Sequence, residues 1–141
     1  MKKVLITGSN GFIGKNLKLY LTQFKDIQVA FFDKDDDDSF LPEIMKKVDF
    51  IFHLAGVNRS MNVHDFQKYN TDFTKKLCEN IKNLNKKISI VFASSIQAES
   101  DNPYGKSKKN AEEILINLSN EHAVNVYIFR LPNVFGKWSK P

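Results

Sequence analysis

Val4-Leu5-Ile6-Thr7-Gly8-Ser9-Asn10-Gly11-Phe12-Ile13-Gly14 is a near-continuous apolar run that ends in three glycines spaced three residues apart, with helical periodicity after them. The stretch reads as a strand, a tight turn and the start of a helix. Glycines at 8, 11 and 14 allow the turn, let backbone come close to a phosphate group, and let the helix pack tightly on the strand. The helix N-terminus then presents free amides and a positive dipole end to an anion.

The same alternation continues outward from this point. Val, Ile and Phe dominate runs near 27–32, 49–54, 88–93 and 124–130, which with 3–7 make five expected strands. Nearly continuous apolar runs suit parallel strands buried on both faces. Helical patterns fit 11–24, roughly 40–47, 62–83 and 104–120, the last offering Ile114, Leu115 and Leu118 at helical spacing. A βαβαβαβαβ order predicts an α/β fold with a Rossmann-like, doubly wound parallel sheet.

Composition narrows the classes. A chain of 141 residues, 42% of them hydrophobic, supports one globular core, so a single domain over 1–141 is expected. No run of 18 apolar residues occurs, and Met1-Lys2-Lys3 leads straight into the first strand without a cleavage pattern, which predicts a cytoplasmic protein with no membrane partner. Cys78 is the sole cysteine and reads as a small packing residue. The net charge of +5 comes from scattered lysines without a basic stripe and interleaved aromatics, so no nucleic-acid partner is expected. Asp35-Asp36-Asp37-Asp38 reads as a solvated loop rather than a metal site, and no metal is expected.

Further signals follow in order: His53-Leu54-Ala55-Gly56 after the third strand, Ser94-Ser95 after the fourth, Tyr104-Gly105-Lys106-Ser107-Lys108 opening a helix, and Arg130-Leu131-Pro132-Asn133-Val134-Phe135-Gly136 after the fifth. Tyr104 and Lys108 stand four apart and so share one helix face. A phenol with its pKa near 10 is a poor acid–base at neutral pH unless its surroundings assist it, and a nearby ammonium stabilises the phenolate.

With its TGxxGxxG spacing and these ordered motifs, the chain resembles the extended short-chain dehydrogenase/reductases, the NAD-dependent epimerase/dehydratase family, along its whole length. The resemblance implies a catalytic set of Ser95, Tyr104 and Lys108, with Ser94 as the runner-up serine. It also implies a cofactor site made of Thr7, Gly8, Asn10, Gly11, Phe12, Ile13 and Gly14 on the loop, Asp33 and Lys34 after the second strand, Leu54, Ala55 and Gly56 after the third, and Lys108 on the ribose. Asn70 matches an asparagine that braces the active-site region in the family. His64 and His122 receive no role. Only eight residues separate Ser95 from Tyr104, so the segment between them must be a compact loop.

Asp33 suits the adenosine ribose of NAD, whereas Lys34 suits the 2′-phosphate of NADP. The wording around Val57-Asn58-Arg59, Ile96-Gln97-Ala98 and Lys137-Trp138 is most similar to the reductase domain of enzymes of capsular polysaccharide synthesis. That likeness implies NADP, with NAD possible, and reduction of the C4 ketone of a UDP-linked 2-acetamido-2,6-dideoxy-hexulose on the way to UDP-N-acetyl-L-fucosamine. In those enzymes a substrate domain and a cupin domain follow. The sheet here is therefore expected to be incomplete at its C-terminus, and the missing C-terminal region or a homo-oligomer partner is expected to complete the sugar site. A 4-epimerase or 4,6-dehydratase is the alternative within the group, and a non-catalytic cofactor-binding remnant is the alternative outside it.

Overall fold

The computed structural model describes residues 1–140, which form five parallel strands and the helices between them. In chain order these are β1 (Lys2–Thr7), α1 (Phe12–Leu21), β2 (Ile27–Phe32), α2 (Phe40–Lys47), β3 (Phe50–His53), α3 (His64–Phe66), a π-helical segment (Gln67–Asp72), α4 (Phe73–Lys82), β4 (Ser89–Ser95), a 3₁₀ turn (Ile96–Glu99), α5 (Pro103–His122) and β5 (Asn125–Leu131). The five expected strands are all present. The expected helix over 62–83 is instead broken into three by the π-helical segment, which carries the buried Asn70 and Thr71.

The sheet order is β2-β1-β3-β4-β5. Successive side chains of a strand face opposite ways, and β1 shows it: Leu5 joins the larger core with α2, α4 and α5, while Val4 and Ile6 join a smaller one under α1. Helices thus lie on both faces, as a doubly wound sheet requires. Leu41 and Met45 of α2, Leu77 and Ile81 of α4, and Leu115 and Leu118 of α5 are buried at 2% exposure or less in the larger core. The α1 face is less covered toward β5, where Tyr127 and Phe129 are exposed. Among the described residues, no helix is long and apolar enough to cross a membrane.

This order fixes where a ligand can enter. β1 sends its chain to β2 on one side and receives β3 on the other, so the strand ends diverge between β1 and β3 and a crevice opens at their carboxyl ends. The glycine loop leaves β1 at that point.

Candidate active site

The loop is built on three different uses of glycine. Gly8 adopts φ +74°, and a Cβ there would lie 2.7 Å from the Ala55 backbone, so β1 and the loop after β3 touch main chain to main chain. At Gly14 a Cβ would lie 2.1 Å from the Gly8 carbonyl oxygen, which locks α1 onto the turn. Gly11 is different: a Cβ there would meet only the Gly8 oxygen, at 3.3 Å, with open space beyond. Gly11 is also the N-cap of α1, where no side chain caps the helix and no acid lies in the first turn. The first-turn amides are thus left for an anion.

Gly8, Asn10 and Gly11 line a cleft of about 790 Å³ together with Asp33 and Lys34. Leu54, Ala55 and Gly56 form its other wall. Thr7 does not: it is fully buried and acts one layer below. Ala55 N–H donates to Thr7 Oγ1 (3.3 Å), whose hydroxyl meets His53 Nδ1 (2.8 Å), while His53 Nε2 meets Thr74 Oγ1 (2.8 Å) and that hydroxyl donates to Asn70 O (2.6 Å). Every donor finds an acceptor if His53 carries its proton on Nε2. Burial, and secondarily the charge of Lys108, push the His53 pKa down to about 3, so the ring is neutral. Phe12 and Ile13 are not among the residues that line the cleft, the Phe12 ring lies beside Gly136, and Gly14 serves packing. What these three residues offer an anion is backbone.

At the β2 end of the cleft, the Asp33 carboxylate is turned to the loop. It accepts from Ser9 Oγ at 2.5 Å and from the Asn10 amide at 3.0 Å. Lys34 is exposed, its ammonium 4.5 Å from the centroid of the Tyr69 ring, with Lys68 at 5.1 Å from the same ring. Tyr69 and Lys68 also line the cleft.

Past Gly56 the cleft meets a second group of side chains. A Cβ on Gly56 would lie 2.8 Å from Asn70 Oδ1 and 3.7 Å from Lys108 Nζ, so all three converge. Asn70 is buried in the π-helical segment, where it accepts from Val57 N (2.8 Å) and donates to Val57 O (2.9 Å) and Ser107 Oγ (3.0 Å). It therefore ties the wall of the cleft to α5. Lys108 Nζ donates to the Ala93 carbonyl at 2.7 Å and lies 4.4 Å from the Phe92 ring centroid. Burial pulls its pKa down to about 8, with Glu112 opposing.

Tyr104 stands one turn before Lys108. Burial raises its phenol pKa, and a hydrogen bond with the Ser95 side chain opposes the rise. The net direction is upward because burial outweighs Ser95, opposite to the lowering expected from an adjacent ammonium, and the Lys108 ammonium is directed to Ala93. Ser95 and Ser94 part company here. Ser95 meets Tyr104, whereas Ser94 donates to the Glu112 carboxylate on the α5 side of the sheet. The short link between Ser95 and Tyr104 is the expected compact one, a 3₁₀ turn whose carbonyls press on α5: a Cβ on Gly105 would lie 2.0 Å from Gln97 O. Asn102 caps α5 through Gly105 N at 2.7 Å. Sequence reading assigned no role to Thr74, Ser107 or Glu112. A mid-helix Asn70 and a charged residue four after Lys108 were the available signals.

A model of the NAD dependent epimerase/dehydratase family matches residues 4–141. The chain belongs to that family. Among curated members it is 50% identical over 139 residues to the UDP-2-acetamido-2,6-beta-L-arabino-hexul-4-ose reductase of Pseudomonas aeruginosa, covering 99% of this chain and 37% of that one. Among solved structures, the capsular polysaccharide assembling protein CapF from Staphylococcus aureus superposes with a TM-score of 0.83 at 38% identity, over 99% of this chain and 36% of CapF. The UDP-glucuronic acid 4-epimerase of Bacillus cereus, solved with NAD, superposes at 0.88 with 18% identity, which shows a shared fold. The chain thus spans little more than a third of the length of its epimerase/dehydratase relatives from the capsule enzymes.

The three glycines give different expected outcomes. Gly14→Ala should destabilise the fold by about 3 kcal/mol or more, since the clash is with backbone. Gly11→Val should leave the melting temperature within a few degrees of the parent and abolish dinucleotide binding measured by fluorescence titration. Equal loss of stability in both would contradict this division.

Proposed function

We propose that this chain is the cofactor-binding and proton-donating part of a cytoplasmic nucleotide-sugar reductase, which reduces the C4 ketone of a UDP-linked 2-acetamido-2,6-dideoxy-hexulose with NADPH. The observation that carries the reading is Tyr104 beside Ser95, one helix turn before Lys108, whose ammonium lies against Gly56 in the wall of a cleft that begins at an uncapped helix N-terminus. The 50% identity to a hexulose reductase supports the substrate class, and the CapF likeness supports a role in surface polysaccharide precursors, within which we place the chain on the UDP-N-acetyl-L-fucosamine route.

The dinucleotide supplies hydride at its nicotinamide. Residues of this chain do the rest. Gly11 and the first-turn amides of α1 receive the pyrophosphate, and Lys108 reaches the nicotinamide ribose. Ser95 holds the ketone oxygen while Tyr104 gives it a proton. Burial keeps the phenol protonated at neutral pH, as donation to a ketone requires. The same three residues would serve a 4-epimerase or a 4,6-dehydratase, and the 50% identity to a hexulose reductase is what favours reduction over those readings. Contacts to the sugar and uridine are assigned to the part of the enzyme that the relatives carry beyond this third, or to a second copy.

For NADP, the support is the placement of two charges. The Asp33 carboxylate is spent on Ser9 and Asn10, while Lys34 is held only by a ring contact worth about 0.5–1 kcal/mol at an exposed site, which a phosphate readily displaces. NADPH should therefore bind more tightly than NADH, and Lys34→Ala should weaken NADPH roughly tenfold with NADH unchanged. A clear preference of the parent for NADH would overturn the assignment.

Lys108 makes binding pH-dependent. Its ammonium is charged below about pH 8 and is lost as pH rises through that value. Affinity for the reduced dinucleotide should fall above pH 8 by up to about tenfold per pH unit, and Lys108→Met should bind weakly with a flat profile. A parent profile as flat as that of the variant would remove Lys108 from the site.

Tyr104→Phe, in a complete enzyme carrying this segment, should lower turnover roughly 10²–10⁴-fold with cofactor affinity almost intact, as read by steady-state kinetics and titration. Turnover within a few-fold of the parent would return Tyr104 to a merely structural role.

A further inference from the structure

We propose that Arg130 is a positioning residue for the Ser95–Tyr104 pair: one guanidinium on β5 holds the helix that carries Tyr104 against the turn that follows Ser95. The proposal rests on the reading of those two side chains as the pair that acts on the substrate oxygen.

The geometry is specific. Arg130 Nε donates to Glu112 Oε1 at 2.9 Å and Oε2 at 3.3 Å, and Nη2 donates to Oε2 at 2.7 Å. Its third nitrogen, Nη1, donates to Glu99. Glu112 lies on α5 two turns beyond Tyr104 and is 4% exposed. Glu99 closes the 3₁₀ turn that starts directly after Ser95. Burial raises the Glu112 carboxyl pKa, but hydrogen bonds from Arg130 and Ser94 outweigh this and hold it below the usual carboxylate value. The carboxylate is thus ionised, and it binds Ser94, the residue before Ser95, from the other face of the sheet.

Two attachments are needed to fix a direction. The first is close to Tyr104, where Gly105 rests on the carbonyls of Gln97 and Ser100. The ties of Ser107 to Asn70 and Thr71 and the core packing of Leu115 and Leu118 hold α5 as well, but they do not link it to the turn after Ser95. Arg130 supplies the second, two turns along the same helix. Only a guanidinium serves, because a rigid fork can satisfy one carboxylate with two nitrogens and another with the third. A lysine keeps the charge but cannot span both.

The test uses this chain with its tyrosines labelled at Cζ, read by NMR at pH 7, the Tyr104 resonance being identified by its loss in Tyr104→Phe. Ser95→Ala displaces that resonance by removing the hydrogen bond. Arg130→Lys should reproduce most of the displacement, and adding Ser95→Ala in that background should then move it little further. A Tyr104 resonance at the parent position in folded Arg130→Lys, or a full additional displacement by Ser95→Ala, would overturn the proposal and leave Arg130 a stabiliser of the fold alone. Should Arg130→Lys fail to fold, Glu99→Ala cuts only the turn side, at a side chain that is 63% exposed, and should displace Tyr104 in the same direction. An unmoved resonance there overturns the proposal equally. Neither cofactor nor sugar enters the measurement, so a failure of dinucleotide binding would count against the proposed function and leave this coupling standing.

Discussion

The carbonyl oxygen of Gly8 occupies the space that a side chain at residue 14 would need, and most of the site follows from that contact. It brings the N-terminus of α1 over the end of β1 and leaves its amides uncapped. On the other side of the same residue, Gly8 lies against the Ala55 backbone. Two strands and a helix therefore meet through main chain alone, and the cleft that opens between them is lined by the residues they leave at the rim. Replacing any of these approaches by side-chain packing would move the walls apart by the thickness of a methyl group or more, and backbone could no longer reach a phosphate.

Electrostatics then separates the two ends of the cleft. At the inner end, Lys108 is a buried cation held by a carbonyl and an aromatic ring, with the Glu112 carboxylate a turn beyond it. A second cation beside it would be costly, and the His53 ring next to this group is neutral, held between two threonine hydroxyls. Tyr104, in the same shell, is likewise neutral. The inner end thus carries one positive charge near its titration midpoint and one retained proton. At the outer end, Lys34 and Lys68 flank Tyr69, and Asp33 is drawn back onto the loop.

The strands were legible because parallel strands buried on both faces need unbroken apolar runs, and β2 was read to its exact limits, Ile27–Phe32. The glycine loop was legible because a tight turn and a close helix each demand glycine. What stayed hidden has no local sequence signature. Arg130 and Glu112 are 18 positions apart and meet only because β5 lies next to β4, above α5. Thr7 heads the loop in sequence, and its place at the buried end of β1 gives it His53 as a partner 46 positions away. Ser94 and Ser95 are equivalent in sequence. The alternation of a strand sends them to opposite faces, and only the register of β4 against β5 says which is which.

The π-helical segment interrupts the helix expected over 62–83 at the residues that join the cleft to α5. At about 100° per residue, Asn70, Thr71, Thr74, Leu77, Cys78 and Ile81 fall within one stripe, and all six are buried. A turn with i→i+5 bonds carries the first two of them. From it Asn70 reaches Val57 and Ser107, and Thr71 donates to the Ser107 carbonyl at 3.0 Å. An asparagine in mid-helix, unfavourable by propensity, is thereby the joint between the wall of the cleft and the helix of Tyr104 and Lys108. The irregularity sits where the wall of the cleft and α5 are tied together, so the placing of Tyr104 and Lys108 relative to Gly56 depends on a side chain rather than on helix packing alone.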